Sequence, residues 1–422
     1  MADMNRFMIT HWCGVPHKFI RHEDGTLAVE RFEEMKEAGI NLVECYDYGY
    51  ETQCEALTAC ERLGLRVTIR DDRIAKAADK TLTREERREI LASMVRDYSG
   101  YPALLGYHIV DEPNSRAFPV LAEIREILSE LDPAHESYFN LYPNYASPEM
   151  LGNPTYYDHL DDFVERVKPE ILSYDHYHFY KGAPIEQGTF EDERQNQILA
   201  AAYRKESRPG FFDNIEDAMA VSLKTGVPFM VIILLTEHEP YRNLTEEEIR
   251  WEVYQTLCYG VKRLSYFTYW TPGVDTEEGD SVWHWQNGMI NKDGTRNPHY
   301  YMVARINREL QAVGDILLSH TVQAVFHIGD EPDGKVRYWQ GSYGDVTGLN
   351  ATRMTAGFFD GGYVLLASKD FEEAQDVRLA VLDGRTVTRF DKESGIWKPL
   401  APTDGTYTVT LAAGDGELLR IV

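Results

Sequence analysis

Positive charge is the first shortage: 43 Lys and Arg stand against 69 Asp and Glu, a formal net charge of −26 over 422 residues. A surface this acidic repels phosphate backbones and anionic lipid heads, so neither nucleic acid nor a membrane surface is expected as a partner. Cysteine is scarce too. The five (Cys13, Cys45, Cys54, Cys60, Cys258) are odd in number and scattered, with no C-x-x-C pair, which argues against a disulfide framework or a thiolate zinc site. Long apolar runs are missing. The longest, residues 229–235, is strand-sized and far short of the roughly 20 residues that span a bilayer. No basic segment followed by an apolar one opens the sequence. These absences lead to the expectation of a cytoplasmic protein with reduced thiols, and of a possible homo-oligomer.

Hydrophobic residues make up 43% and aromatics 12%, enough for a large core and incompatible with disorder as a description of the chain. Short apolar segments alternate with amphipathic ones over the first 318 residues. Strands are expected at 6–10, 40–46, 65–70, 104–110, 137–141, 171–174, 228–235 and 263–268. Capping boxes at Thr83–Glu86 and Thr245–Glu248 mark two helix starts, and Pro119 fits a helical first turn. Eight strand–helix units predict an α/β chain with a (β/α)8 TIM barrel over residues 1–318. A doubly wound dinucleotide fold is disfavoured, because no G-x-G-x-x-G follows the first strand. Residues 319–422 change texture. β-Branched and aromatic runs at 322–328, 336–339, 363–367, 377–382, 407–411 and 418–422 lie among the pairs Asp333-Gly334, Asp360-Gly361, Asp383-Gly384, Asp404-Gly405 and Asp415-Gly416. Asp-Gly between such runs signals hairpins, and a C-terminal antiparallel β-sandwich is expected. The stretch from 181 to 223 reads as an insertion that walls a cleft.

Barrel active sites lie at the carboxyl ends of the strands. In order, those ends carry Trp12; Glu44 and Asp47; Arg70, Asp71 and Asp72; Asp111 and Glu112; Asn140 and Tyr142; Asp175, Tyr177 and His178; Glu237, His238 and Glu239; and Trp270. Carboxylates, amides and aromatics on one rim suit a carbohydrate, whose hydroxyls need polar partners and whose C–H face needs a ring. Cleaving an acetal needs two carboxyl groups flanking the bond. No phosphate-binding loop and no metal-ligand spacing stands out, so neither a cofactor nor a metal is expected.

The motif Gly106-Tyr107-His108-Ile109-Val110-Asp111-Glu112-Pro113 resembles the strand-four segment of clan A glycoside hydrolases, the retaining (β/α)8 enzymes that include several β-galactosidase families. Asp111 stands where the clan usually has Asn. Ser173-Tyr174-Asp175-His176-Tyr177 is similar to the strand-six segment of those β-galactosidases. The runs from Asn287 to Gly294 and from Pro298 to Tyr301 look like the close of such catalytic domains. The resemblance implies Glu112 as acid/base and Glu237 as nucleophile, the latter preferred to Glu239 for its reach along the strand. It implies Trp270 as the floor of the sugar site, with Trp12, Asp47, Arg70, Asp111, Asn140, Asp175, Tyr177, His178 and His238 binding substrate. The activity implied is hydrolysis of a β-linked, galactose- or glucose-configured small glycoside with retention; exo action is expected from the cytoplasmic location, where imported glycosides are small.

Glu237 falls late on its strand, so alternatives stay open. Asp175 or a strand-three Asp is a candidate inverting base, and a catalytically silent carbohydrate-binding barrel is another reading. His108, Glu112, Asp175 and His178 form the one candidate metal set.

Overall fold

The computed structural model describes residues 6–182, 207–275, 283–329 and 334–422. Eight parallel strands form the first body: β1 (Met8–His11), β2 (Leu42–Cys45), β3 (Arg66–Ile69), β4 (Leu104–Asp111), β5 (Glu136–Asn140), β6 (Leu172–His176), β7 (Phe229–Leu234) and β8 (Arg263–Phe267). They pair as two runs, β2-β3-β4-β5 and β1-β8-β7-β6. Backbone bonds close both seams, Asn41 N–H to Ile9 O at 3.1 Å and Leu141 N–H to Ser173 O at 2.9 Å. The sheet has no free edge, as a (β/α)8 barrel requires.

Helices alternate with the strands: α1 (Glu30–Glu37), α2 (Tyr50–Leu63), α3 (Asp72–Ala77), α4 (Arg84–Tyr98), α5 (Phe118–Leu131), α6 (Pro148–Leu151), α7 (Tyr156–Val167), α8 (Phe211–Thr225), α9 (Glu246–Cys258) and α10 (Pro298–Leu317). Both expected capping boxes form. Thr83 and Glu86 satisfy each other's backbone N–H at the start of α4, and Thr245 and Glu248 do so at α9. Pro119 sits in the first turn of α5, where its missing N–H leaves no broken bond. Helix α1 ends before Gly39, whose φ of +79° and close approach to Asn307 (2.7 Å from a notional Cβ to the Asn307 Cβ) leave no room for a side chain.

Trp12, Tyr138, Ile171, Met230 and Ile232 pack together inside the barrel, forming the floor beneath its carboxyl-end mouth. The larger apolar layer lies between strands and helices, with Phe32, Leu57, Leu91, Ile124, Phe163 and Val253 buried in it.

Two antiparallel sheets follow, ordered β10-β13-β16 and β15-β14-β17-β12-β11-β9. Their strands are β9 (Val322–Ile328), β10 (Val346–Asn350), β11 (Met354–Phe359), β12 (Tyr363–Ser368), β13 (Gln375–Val381), β14 (Val387–Asp391), β15 (Ile396–Pro399), β16 (Tyr407–Leu411) and β17 (Gly416–Ile421). The inward faces of both sheets share one core that includes Val346, Met354, Leu366, Val377, Leu379, Val409 and Leu419. The run expected at 336–339 is no strand; it is tied on by a bridge between His327 and Tyr338 and by Trp339 packing on Phe326 and Phe358. Strands β10, β11, β14 and β15 were not expected. Asp333 of the expected Asp333-Gly334 turn lies outside the described residues, as does 183–206 of the insertion. The six-stranded sheet docks on α9, where Gln255 donates to the Ser368 carbonyl (3.0 Å) and accepts from Thr355 Oγ1 (2.5 Å).

Candidate active site

Strand β4 runs on to Asp111, and the chain then turns sharply. Glu112 takes φ +47°, the left-handed region that costs an L-residue about 1–2 kcal/mol. Its N–H is held by the Asn140 carbonyl at 2.8 Å. Such strain persists only where surrounding structure fixes it, and it aims the Glu112 carboxyl over the barrel mouth rather than along the strand. There it lines a cavity of about 670 Å³, within the usual range for small-molecule sites (about 300–1,000 Å³).

Register explains who joins it. Asp111 pairs with Asn140 across β4 and β5, and Asp175 pairs with Ile232 across β6 and β7. All four line the cavity. The Asn140 amide bridges the two acids, with Nδ2 donating to Asp111 Oδ1 at 3.1 Å and to Asp175 Oδ1 at 3.2 Å. The amide's orientation is fixed from behind, since Asn140 Oδ1 accepts from Ser173 Oγ at 2.9 Å.

Three carboxyl groups in one hollow cannot all ionise easily. Burial raises the pKa of Glu112, and the charges of Asp175 and Asp111 add to the rise. Burial and Asp111 raise Asp175, against the Asn140 hydrogen bond and the Arg208 charge. Asp111 rises through burial as well, again opposed by the Asn140 bond. Glu112 has no opposing partner among these causes, so it keeps its proton longest. Environments that split the acids in this way assign proton donor and proton acceptor.

The walls are aromatic. Trp12, Tyr142, Tyr145, Tyr177, Tyr241, Phe267, Trp283 and Trp285 line the cavity. Tyr177 packs on Phe267 at 4.8 Å, and Trp285 covers the His238 ring at 4.2 Å. His238 is buried, and burial lowers its pKa to about 3, so the ring is neutral and Nδ1–H donates to the Thr236 carbonyl at 2.9 Å. Its Nε2 is then an acceptor. Arg208 completes the lining.

Thus Glu112, Asp111, Asn140, Asp175, Tyr177, His238 and Trp12 come together as the sequence led us to expect. Other expected site residues do not. Glu237 and Glu239 are absent from the lining: Lys181 Nζ lies 3.2 Å from Glu237 and 2.9 Å from Glu239, and Asn287 donates to Glu237 at 2.7 Å. Strand β7 ends at Leu234, and just beyond it the N–H groups of Leu235 and Thr236 both bond to the Phe267 carbonyl, so the strand's alternation does not carry through to residues 237–239. Trp270 is buried behind the wall, against Phe19 (4.9 Å) with the Arg31 guanidinium over it at 5.3 Å. His178 is stacked on Trp251 at 4.7 Å, outside the cavity. Asp47 ties two loops, accepting from the N–H groups of Gly49 (3.0 Å) and Asp72 (2.8 Å). Arg70 stands one layer back, paired with Glu44 at 2.5 Å and lying over the Trp12 ring at 4.8 Å. On strand three, Asp71 is paired with Arg73 at 2.7 Å and does not line the cavity.

His108 lies 2.9 Å from Glu44, so with His178 displaced the four-residue metal set does not converge. Among the described residues, no group of three His, Cys, Asp or Glu side chains is placed to share an ion. The members that sequence reading missed are Arg208, Tyr145, Tyr241 and Phe267. Arg208 lies within the insertion and belongs to no strand end, so only the idea of an insertion walling the cleft pointed towards it.

No family model matches the chain, and no curated protein matches it in sequence. Solved structures do match. A glycoside hydrolase family 5 protein from Bacteroides vulgatus aligns with a TM-score of 0.59 at 10% identity, covering 99% of this chain and 89% of its own. A β-galactosidase from Rahnella sp. R3 gives 0.54 at 10%, covering 100% and 99%. A β-galactosidase from the psychrophilic Marinomonas ef1 gives 0.51 at 11%, covering 74% of this chain, which spans 62% of the Marinomonas one. At these identities the likeness is one of architecture: this chain has the fold of barrel glycoside hydrolases.

Proposed function

We propose that the protein hydrolyses a small β-linked glycoside, with Glu112 as proton donor and Asp175 as the acid that activates water. The observation that carries this reading is the pair Glu112 and Asp175 in one aromatic-walled cavity, their carboxyls held at different proton affinities. Glu112 transfers its proton to the leaving oxygen as the anomeric C–O bond breaks. Water attacks from the other face and gives its proton to Asp175, which Asn140 and Arg208 help to keep ionised. Direct displacement inverts the anomeric centre. Retention through Glu237, the mechanism implied by the sequence resemblance, requires that carboxylate to leave Lys181 and Asn287 and enter the cavity.

The ring walls supply stacking for the apolar sugar face, with Trp12 and Phe267 at the ends of the adjacent strands β1 and β8. A hollow of this size fits one or two sugar rings rather than a long chain, which supports exo action on a galactose- or glucose-configured substrate. Random internal cleavage of a polymer would contradict that. The mechanism uses no cofactor. The test is the anomer first released from an aryl β-glycoside, followed by NMR. An α-product is expected, and Asp175→Asn removes turnover. A β-product, with sugar trapped on Glu237, would overturn the assignment of Asp175. A second reading, a silent carbohydrate-binding barrel, is favoured by Ile232, which faces the cavity from β7 where the clan carries its nucleophile. Failure of every β-glycoside to turn over, with sugar binding retained, would establish it.

A further inference from the structure

Arg208 is the only lysine or arginine among the described residues that line the cavity. Its guanidinium is held flat by rings, 3.8 Å from the Tyr145 centroid, 5.1 Å from Tyr180 and 5.5 Å from Tyr241. Among the described residues the side chain makes one hydrogen bond, from Nη2 to Tyr241 Oη at 2.5 Å, and the buried Nε has no partner. It forms no ion pair with a described carboxylate; Asp175 feels its charge only at longer range. A backbone bond, Arg208 N–H to His178 O at 2.6 Å, fixes its base.

A buried donor without an acceptor is costly, and most guanidinium groups at this depth are matched by a carboxylate. Here the guanidinium is fixed among rings, with no described carboxylate against it, in the lining of a cavity already proposed to hold a sugar. The geometry assigns Arg208 as the recognition group for a carboxylate on that sugar: the substrate is a uronic acid glycoside, not a neutral one. The inference rests on the carbohydrate reading of the same cavity and deepens it. A galactose- or glucose-configured ring oxidised at C6 carries a planar carboxylate that accepts two parallel hydrogen bonds from the guanidinium. The rings around Arg208 exclude water from those bonds. The protonated state of Glu112 limits the repulsion that an incoming anion meets from the acids.

The test is calorimetric binding of free galacturonate and glucuronate, against galactose and glucose, to the full chain at constant ionic strength. Wild type is expected to bind one uronate at least about tenfold more tightly than its neutral parent, the scale of a charge-assisted pair. Arg208→Gln is expected to bring that ratio close to one, and Arg208→Lys to recover part of it; thermal melting reports whether each variant is folded. If either variant fails to fold, the uronamide of the same sugar bound to wild type provides the same reading, because a neutral amide is expected to bind no more tightly than the parent sugar. A wild-type ratio of one, or an unchanged ratio in folded Arg208→Gln, would overturn the inference while the glycosidase reading stands. Binding of neither class of sugar would overturn both. Sulfated sugars bound in preference to uronates would replace carboxylate recognition by that of a tetrahedral anion.

Discussion

At the scale of single residues, the site depends on where protons rest. In the proposed mechanism Glu112 donates and Asp175 accepts, and both have raised proton affinities. The rate should therefore rise as Asp175 ionises, above the ordinary carboxylate range, and fall as pH passes through the raised value of Glu112. A pH profile of kcat/KM is expected to show this bell displaced to the alkaline side, with the alkaline limb absent in Glu112→Gln. Stability carries the same sign. A carboxyl whose pKa is raised by folding stabilises fully below its unfolded value of 4.5, and this contribution is lost as pH rises towards the folded value. Glu112→Gln should then melt higher than wild type by an amount that grows with pH. Glu44 behaves oppositely. Burial would raise it, but Arg70 and His108 outweigh burial and hold it at about 2, so its contribution is present above 4.5 and lost as pH falls towards 2. Glu44→Gln leaves Arg70 unpaired beneath Trp12, and chemical denaturation should register a loss of about 3 kcal/mol, the low end for a broken buried pair because Arg70 is partly exposed. Glu112 was legible in the sequence because a strand end followed by Pro113 names its own position. Trp270 and His178 were not, since a strand end does not reveal which way a ring turns.

Among elements, β7 is the instructive one. Its eight apolar or β-branched residues from 228 to 235 made the strand plain, yet the sequence alone left the first cavity-facing position open. Past Leu234 the period of two is interrupted, and the chain beyond turns His238 to the cavity and Glu237 to Lys181. Extra length past the strand, rather than a missing acid, kept the β7 carboxylates out of the lining. Helix starts were legible for a different reason: Thr-x-x-Glu is local chemistry that no tertiary contact has to supply. Thr245→Ala should cost about 1 kcal/mol in denaturant melts, with Thr83→Ala similar. An effect near zero at both would mean that packing alone sets these helix ends.

For the whole molecule, the barrel was legible because its eight strands recur at a regular spacing, each buried on both faces. The sandwich was legible only in outline. Strands such as β10 and β15 are short, half-exposed and rich in Gly, Asn or Lys, so their pairing comes from neighbours rather than from their own residues. The two bodies are joined where β11 lies on α9, and Gly357 permits the approach: a Cβ there would stand 2.3 Å from the Cys258 carbonyl oxygen. Gly357→Ala should destabilise the chain by about 3 kcal/mol, the upper end for overpacking against backbone, and the melt should broaden if the sandwich separates first.

Leaving-group dependence tests the proton donor directly. The kcat/KM of Glu112→Gln is compared with wild type on a methyl β-glycoside and on the dinitrophenyl glycoside of the same sugar. A role in protonating the leaving oxygen predicts a loss of about 100- to 10,000-fold on the methyl glycoside and a far smaller one on the dinitrophenyl substrate, whose leaving group departs without a proton. Equal losses on the two, or no loss on either, would contradict it.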